Sequence, residues 1–150
     1  MKFTISWLKE HLDTQKSDQE LIDSLTNIGL EVEDVVNASE IFSNFTVAQV
    51  VEEKKHPNAD KLKVCRVDIG SDIVDVVCGA PNVEKDMKVV YAPPGSTIPS
   101  TQMKLKASKI RGVESLGMIC SEFELGISDD HDGIIKLDDS IKVGLSLIHI

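Results

Sequence analysis

A dense group of cations is the feature of this sequence that could do chemistry. Four of them, Lys104, Lys106, Lys109 and Arg111, lie within eight residues of a chain whose formal net charge is -9. Ammonium and guanidinium groups attract phosphate and carboxylate, so an acidic protein that gathers cations in one stretch is expected to meet a polyanion or an acidic neighbour there. The group predicts an anion-binding face.

The distribution of charge along the chain supports one basic region. Residues 54–111 carry 11 cations and 6 acids, whereas residues 1–53 carry 3 and 11, and residues 112–150 carry 2 and 8. The sequence pI of about 4.8 argues against nonspecific nucleic-acid binding by the whole surface but is compatible with one basic face. The acidic flanks would repel phosphate elsewhere and so help to orient it.

The segment from Arg111 to Met118 adds candidate base contacts to this face. It reads Arg-Gly-Val-Glu-Ser-Leu-Gly-Met, and its two glycines allow a tight turn or a close approach. Ser115 could offer a hydroxyl and Met118 a soft apolar surface to an unstacked base of single-stranded RNA. A core position is an equally good interpretation for Met118.

Two turns supply the remaining candidate contacts. The motif His56-Pro-Asn-Ala-Asp-Lys-Leu62 predicts a turn that leads into a strand, and its flanking lysines make Lys61 a candidate RNA contact. The motif Cys78-Gly-Ala-Pro-Asn-Val83 predicts a tight turn in which Asn82 could meet a base or the backbone. A metal site built on the first turn is the weaker interpretation, because no zinc-ligand spacing supports it.

Signatures of catalysis are missing from the sequence. It contains no phosphate-binding loop, dinucleotide-binding glycine motif, nucleophile elbow or paired-histidine zinc motif. Its three cysteines, Cys65, Cys78 and Cys120, are widely spaced and odd in number, which indicates reduced thiols with no catalytic or metal role. We therefore expect no catalytic residue, metal or cofactor in residues 1–150. The absence of a long apolar run or a signal-peptide block predicts a cytoplasmic protein that does not enter membranes.

The elements that position these residues are predicted to form two domains, 1–40 and 41–150. The first is a small α+β unit, with a strand over 2–6, a short helix capped by Ser6, a helix that runs from the capping box at Ser17 to Gly29, and a return strand over 30–36. A polar, turn-rich stretch over 37–44 marks the boundary between the two domains.

The sequence of the second domain alternates short strand-like runs with turn residues. The predicted strands cover 46–51, 62–69, 73–78, 89–92 and 134–137, which suggests a small closed barrel or a sandwich. A change of phase in the second strand predicts a bulge near Cys65 and Arg66. An extended segment over 103–108 would expose Lys104 and Lys106 and turn its apolar residues to the core. Ser121 and Glu124 have the spacing of a capped short helix.

Three motifs taken together resemble a known module. The two turn motifs above and Ile110-Arg-Gly-Val-Glu-Ser-Leu-Gly-Met-Ile-Cys-Ser-Glu-Phe-Glu-Leu-Gly126 resemble, in order, spacing and length, the tRNA-binding OB-fold module of bacterial phenylalanyl-tRNA synthetase beta subunits. The opening Met1-Lys-Phe-Thr-Ile-Ser-Trp-Leu8 and the turn Gly29-Leu-Glu-Val-Glu33 resemble the N-terminus of that subunit. The resemblance covers nearly the whole chain.

This resemblance implies both a fold and a function. The fold is mainly β, with a five-stranded OB-fold barrel over 45–147 and a small N-terminal α+β unit. The function is recruitment of tRNA(Phe) for aminoacylation carried out elsewhere in the complex, with tRNA contacts at Lys109, Arg111, Ser115 and Met118. The family also implies a longer beta subunit, an alpha subunit in an α2β2 complex, and the use of ATP and magnesium by the full enzyme. The last residues look like the interior of a continuing polypeptide, which suggests a fragment.

Other functions stay open at this stage. A free-standing tRNA-binding protein, or the module appended to methionyl-tRNA synthetases, has a similar fold, although the N-terminal unit favours the beta subunit. A protein-interaction module whose basic face docks an acidic partner is a further alternative. A thiol or metal enzyme is a distant third.

Overall fold

A five-stranded antiparallel sheet is the main element of the computed structural model, which describes residues 1–130 and 132–150. The strands are β1 (Thr46–His56), β2 (Ala59–Asp68), β3 (Ile73–Cys78), β4 (Lys88–Ala92), β5 (Ser108–Ile110), β6 (Val113–Ser115) and β7 (Met118–Ile119). The sheet has the order β3-β2-β1-β4-β7, and β5 and β6 form a separate hairpin. The helices are α1 (Ile5–His11), α2 (Asp18–Asn27), α3 (Ala38–Phe42) and α4 (Glu122–Leu125), and a 3-10 turn covers Leu147–His149. The predicted mainly β class is confirmed.

The chain divides into two compact units, Met1–Val36 and Asn37–Ile150. The structural division thus lies four residues before the predicted boundary, which followed residue 40. The reason is local: the Asn37 side chain accepts a hydrogen bond from the Ser39 amide and caps α3, which belongs to the second unit. The stretch predicted to be a polar turn is therefore partly helical.

The first unit contains two capped helices. The cap of α1 is Thr4, which accepts a hydrogen bond from the Trp7 amide, so the predicted cap at Ser6 is wrong by two residues. In α2 the predicted capping box is present, because Ser17 and Glu20 each accept a hydrogen bond from the other's amide. Such reciprocal bonds satisfy two amides that the helix cannot pair internally.

The strands predicted for this unit are wrong. Residues 5 and 6 lie in α1, and residues 30–36 belong to no regular element and pair with no strand. The apolar side chains of Leu30, Val35 and Val36 are more than half exposed, so they do not pack against a sheet. A strand needs a pairing partner, which local sequence cannot reveal.

The central strand β1 pairs with β2 on one side and β4 on the other. Val50 pairs with Val67 and Glu52 with Arg66, which leaves Val51 as the extra residue of a bulge on β1. The bulge was predicted on β2, near Cys65 and Arg66, and the structure places it opposite, on the partner strand. A bulge on either strand changes the phase of the pairing, which is why the signal in β2 was misassigned.

Residues 134–137 do not form the predicted fifth strand. The Ile135 amide donates to the Cys120 carbonyl (3.1 Å) and the Leu137 amide to the Lys88 carbonyl (2.8 Å), but these isolated bonds form no ladder. The fifth strand of the sheet is instead the short β7 beside β4.

A hydrogen bond joins the edge strand β3 to the segment that precedes β7. The Leu116 amide, between β6 and β7, donates to the Asp75 carbonyl of β3 at 2.8 Å. The sheet has apolar clusters on both faces, and β4 contributes to each: Val89 and Tyr91 belong to one cluster, Val90 and Ala92 to the other. The segment before β7 therefore lies beside β3.

The last residues of the second unit lie along its first strand. The Val47 amide donates to the Leu145 carbonyl at 2.8 Å, and the Gly144 amide donates to the Val47 carbonyl at the same distance. The Leu147 amide donates to the Phe45 carbonyl at 2.9 Å. The entry and the exit of the unit are therefore hydrogen-bonded neighbours.

Candidate nucleic-acid interface

The basic stretch ends in a two-residue hairpin turn. Ile110 of β5 pairs with Val113 of β6, and the residues between them, Arg111 and Gly112, have φ of 48° and 94°. Two positive φ angles in a two-residue loop are typical of a type I′ turn, which favours Asn-Gly, Asp-Gly or Gly-Gly. The left-handed conformation costs a residue with a side chain roughly 1–2 kcal/mol. An arginine at this position is thus an exception that the surrounding structure must support.

That support comes from the turn between β1 and β2. The His56 side chain hydrogen-bonds the Ile110 carbonyl at 2.9 Å. The Asn58 side-chain amide donates to the Arg111 carbonyl at 3.1 Å, and Arg111 Nη1 lies 3.4 Å from the Asn58 carbonyl. These contacts, which we call the tip clamp, join two turns more than 50 residues apart in the chain.

The hydrogen bonds of His56 define its tautomer. Nδ1 accepts from the Asn58 amide at 3.0 Å, so the ring proton lies on Nε2, which donates to Ile110. Both ring nitrogens of this buried side chain are therefore occupied, and the tip clamp leaves neither as a metal ligand.

The tip clamp brings together cations from both parts of the basic region. Lys55 and Lys61 flank the β1–β2 turn, while Lys109 and Arg111 lie on the hairpin. All four are exposed, and none lies within 4.0 Å of a carboxylate of the described residues. Free cations on a fixed surface retain their attraction for phosphate.

The other three cations of the β1–β2 hairpin are paired, and Arg66 Nη1 lies 3.7 Å from a Glu52 oxygen. Lys54 Nζ lies 2.8 Å from a Glu52 oxygen, and its hydrogen bond lowers the pKa of that carboxyl. Lys63 Nζ lies 2.6 Å from a Glu53 oxygen and also donates to the Val83 carbonyl at 2.7 Å. Lys63 thus joins β2 to the loop at Val83, whereas Lys54 pairs within its own strand, and both lysines have less charge to offer a ligand.

Lys104 and Lys106 lie on a separate segment that precedes β5. They flank the buried Leu105, whose amide donates to the Ser96 carbonyl and whose carbonyl accepts from the Gly95 amide, both at 2.8 Å. The predicted alternation thus holds at these three positions, with both lysines exposed. It fails at Met103 and Ala107, which are exposed as well.

Ser115 faces the inside of the protein. It is 2% exposed, its hydroxyl accepts from the Val77 amide at 3.0 Å, and it donates to the Gly117 carbonyl at 3.3 Å. The hydroxyl fastens β6 to β3, so this conformation offers nothing for a base to contact. Direct RNA contact by Ser115 stays a prediction without geometric support.

Met118 is half-buried in β7, where it pairs with Ala92 and packs against the second apolar cluster. Its neighbour Gly117 has φ 101°, and a Cβ there would lie 2.4 Å from the Ala92 carbonyl oxygen. This second glycine of the segment serves a close approach within the protein, as the glycine-rich pattern allowed. The core interpretation of Met118 is the better supported one.

Asn82 uses its side chain to hold a loop. Its Oδ1 accepts from the Ile134 amide at 3.0 Å, and its Nδ2 donates to the Ile134 carbonyl at 2.9 Å. A Cβ at Gly133 would lie 2.6 Å from the Asn82 amide, so the packing is close. Both polar atoms of the Asn82 amide are thus used within the protein, and contact of Asn82 with RNA stays a prediction without geometric support.

An acid lies beside the hairpin cations. Glu114 pairs with Lys109 across β5 and β6, although the two form no ion pair within 4.0 Å. The negative charge of Glu114 reduces the positive potential at the hairpin, although it forms no ion pair with Lys109.

The three thiols are buried, and each prefers its protonated form. Burial raises the pKa of Cys65 and of Cys120 to about 12, and it raises the pKa of Cys78 as well. A protonated thiol is a poor nucleophile and a poor metal ligand. Across residues 1–130 and 132–150, no three histidine, cysteine or acidic side chains converge as a metal site would require.

Comparison with known proteins identifies the family of the second unit. Residues 45–146 match the family described as "Putative tRNA binding domain". The chain belongs to this tRNA-binding domain family. The matched range lies within the second unit, Asn37–Ile150, and covers most of it.

The whole chain is similar to part of longer proteins. It is 51% identical to a phenylalanine–tRNA ligase beta subunit of Rhodospirillum rubrum over 150 residues, which are 100% of the chain and 19% of the relative. The identity to the corresponding subunit of Nitrobacter winogradskyi is 52%, over 96% of the chain and 19% of the relative. The resemblance drawn from the motifs is confirmed. The chain spans about a fifth of the length of these relatives.

A solved structure shows the same fold at low identity. The MetRS related protein from Pyrococcus horikoshii superposes with a TM-score of 0.55 and 21% identity, covering 76% of this chain and 98% of that one. Among the described helices, none is both long enough and apolar enough to cross a membrane.

Sequence reasoning found the cations but missed the tip clamp. The glycine after Arg111 indicated a tight turn or a close approach, but not a hairpin. His56 and Asn58 were assigned to a turn only, and no local signal could link them to a hairpin 54 residues away.

Proposed function

We propose that this chain is the tRNA-binding part of a phenylalanine–tRNA ligase beta subunit and helps to recruit tRNA(Phe). The observation that carries the proposal is the tip clamp, because it joins the unpaired cations of two hairpins within a domain of the tRNA-binding family. Phosphate contacts from such cations supply most of the sequence-independent affinity for RNA.

The proposed contact surface differs from the one that the sequence indicated. It consists of Lys55, Lys61, Lys109 and Arg111, with Lys104 and Lys106 as outer contacts. Ser115 and Asn82 hold the fold, and Met118 contributes chiefly to the core.

The chemistry itself would take place outside residues 1–150. Similarity to the beta subunits supports a longer protein. We further propose that this protein works with an alpha subunit, in an α2β2 complex, in the cytoplasm, as the family resemblance implies. Such an enzyme would use ATP and magnesium for aminoacylation. The residues described here would supply binding and orientation of the tRNA.

A charge-reversal experiment tests the RNA surface. Lys109→Glu combined with Arg111→Glu should weaken binding of tRNA(Phe) at least about 25-fold at 0.1 M salt, because each phosphate contact releases about 0.7–0.9 counterions. The wild-type log-log salt slope should be roughly -2 to -4.5 for three to five contacts, and the variant's slope should be flatter. Fluorescence anisotropy across a salt series measures both.

The matched control is Lys136→Glu combined with Lys142→Glu. These lysines are exposed in the same unit and form no ion pair among the described residues, so the change in net charge is identical. Equal binding by both double variants would show that only net charge matters, and the surface assignment would fail. Binding of an acidic protein but not of tRNA would point to the protein-interaction alternative.

A further inference from the structure

We propose that His56 and Asn58 are positioning residues for the RNA contact of Arg111, which they hold in the left-handed conformation at the hairpin tip. This inference rests on the proposed function of the same surface. Neither residue needs to touch RNA, because both would act through the place and conformation of the arginine.

The first step of the argument is that Arg111 occupies an unfavourable backbone conformation. Its φ is 48°, at a turn position where asparagine, aspartate or glycine would be favoured. A residue held in a sparsely populated region persists only where its surroundings enforce it, and such residues concentrate at functional sites. If the turn served the fold alone, asparagine would suit it better than arginine.

The second step is that the tip clamp supplies the enforcement. Asn58 binds the Arg111 carbonyl at 3.1 Å, and His56 binds the adjacent Ile110 carbonyl at 2.9 Å. Both carbonyls lie at the turn, so the two bonds fix its peptide planes as well as its distance from the β1–β2 turn. His56 is buried, whereas Asn58 is exposed, so the fold depends less on Asn58.

The third step is that the contacts leave the charge of Arg111 available. The guanidinium is exposed, meets no carboxylate within 4.0 Å among the described residues, and has only one long contact, 3.4 Å to the Asn58 carbonyl. A planar group with most of its donors free suits phosphate oxygens. Ordering it before binding reduces the entropy that binding must overcome.

A double-mutant cycle between Asn58→Ala and Arg111→Asn tests the inference. Arg111→Asn removes one contact and should weaken tRNA(Phe) binding about 5- to 8-fold at 0.1 M salt while the salt slope falls by about 0.7–0.9. Asn58→Ala should reproduce most of this loss and a similar reduction in slope. In the Arg111→Asn background, Asn58→Ala should change affinity by less than about 2-fold, since residues that act through one contact are not additive.

Amide exchange supplies a readout that does not depend on RNA. Asn58→Ala should speed exchange of the Ile110 and Val113 amides, which lie in the pair closing the turn. Asn44→Ala, at an exposed turn residue of the same unit, is the control and should alter neither exchange nor binding.

Three outcomes would overturn the inference: full tRNA affinity in Asn58→Ala, additive losses in the cycle, or unchanged exchange at the hairpin. Failure of the proposed function looks different. If wild-type protein did not bind tRNA while Asn58→Ala still loosened the hairpin, the clamp would be real and the RNA assignment would be wrong.

Discussion

At the scale of single residues, the buried side chains of the basic region hold the fold, whereas its exposed side chains are available to a ligand. Ser115 lies in the motif that carries the family resemblance. Its hydroxyl nevertheless accepts a hydrogen bond from the Val77 amide of β3 and faces away from solvent. Arg111, four residues earlier, is exposed at a turn. A motif can therefore combine residues that bind with residues that hold the binders in place.

Ser115→Ala tests this division. The change leaves the partly buried Val77 amide without its acceptor, which should lower the free energy of unfolding by about 1–3 kcal/mol. The tRNA affinity of the folded protein should change less than about 2-fold. Urea denaturation and anisotropy measure the two quantities. Ser96→Ala is the matched control, because the Ser96 hydroxyl is buried without a hydrogen-bond partner among the described residues and its loss should cost almost nothing.

Glu114→Gln should raise tRNA affinity. The substitution removes a negative charge opposite Lys109 and leaves the size of the side chain unchanged. Exposed charge pairs are worth about 0.2–1 kcal/mol, so the expected gain is up to about 5-fold. Asp139→Asn, at an exposed position remote in sequence from the hairpin, controls for net charge. The same gain in both variants would argue against a local effect at β5 and β6.

At the scale of elements, the close approach of β7 to β4 depends on a glycine. Gly117→Ala should lower the free energy of unfolding by more than about 3 kcal/mol, because the new Cβ would lie 2.4 Å from a backbone oxygen in a positive-φ position. Gly95→Ala separates the two causes. Gly95 has φ 98° with nothing within 4 Å, so its substitution should cost only the roughly 1–2 kcal/mol of the conformation. Equal losses would show that the contact with Ala92 is unimportant.

The elements also show which structure the sequence could predict. Capping boxes at Ser17 and Ser121 were predicted correctly, because each is decided within four residues. The strand Ile73–Cys78 was correct because its apolar run meets turn residues at both ends. Residues 30–36 and 134–137 were wrong because a strand exists only where another strand pairs with it.

The candidate site was predictable to a similar extent. Counting charges along the sequence is enough to identify Lys109 and Arg111 as members of the basic group. The burial of Ser115 and the role of Asn58 arise from contacts between distant segments, β6 with β3 and one turn with another. Sequence spacing cannot supply those contacts.

At the scale of the whole molecule, the buried thiols connect stability to alkaline pH. The pKa of Cys65 and of Cys120 is about 12 in the folded protein, against 9.0 for an ordinary thiol. Because the folded protein holds these protons more tightly, their contribution to stability is complete below pH 9 and is lost as the pH rises toward 12.

The free energy of unfolding should therefore decline between about pH 9 and 12. Substituting both cysteines by alanine lowers the starting stability through lost packing but should make the decline shallower. Urea titrations at a series of pH values compare the two slopes. An unchanged slope in the double variant would assign the alkaline sensitivity to other groups.

The hydrogen bond between Leu147 and Phe45 bears on whether such a unit can be inserted into another protein. A domain whose entry and exit strands are neighbours needs only a small gap in a host chain, because the host's two cut ends stay close together. Residues 45–147 could thus be placed in a surface loop of an unrelated protein without forcing that protein apart. Neighbouring ends make this unit portable as an insertion, whereas a domain with distant ends is confined to a terminus.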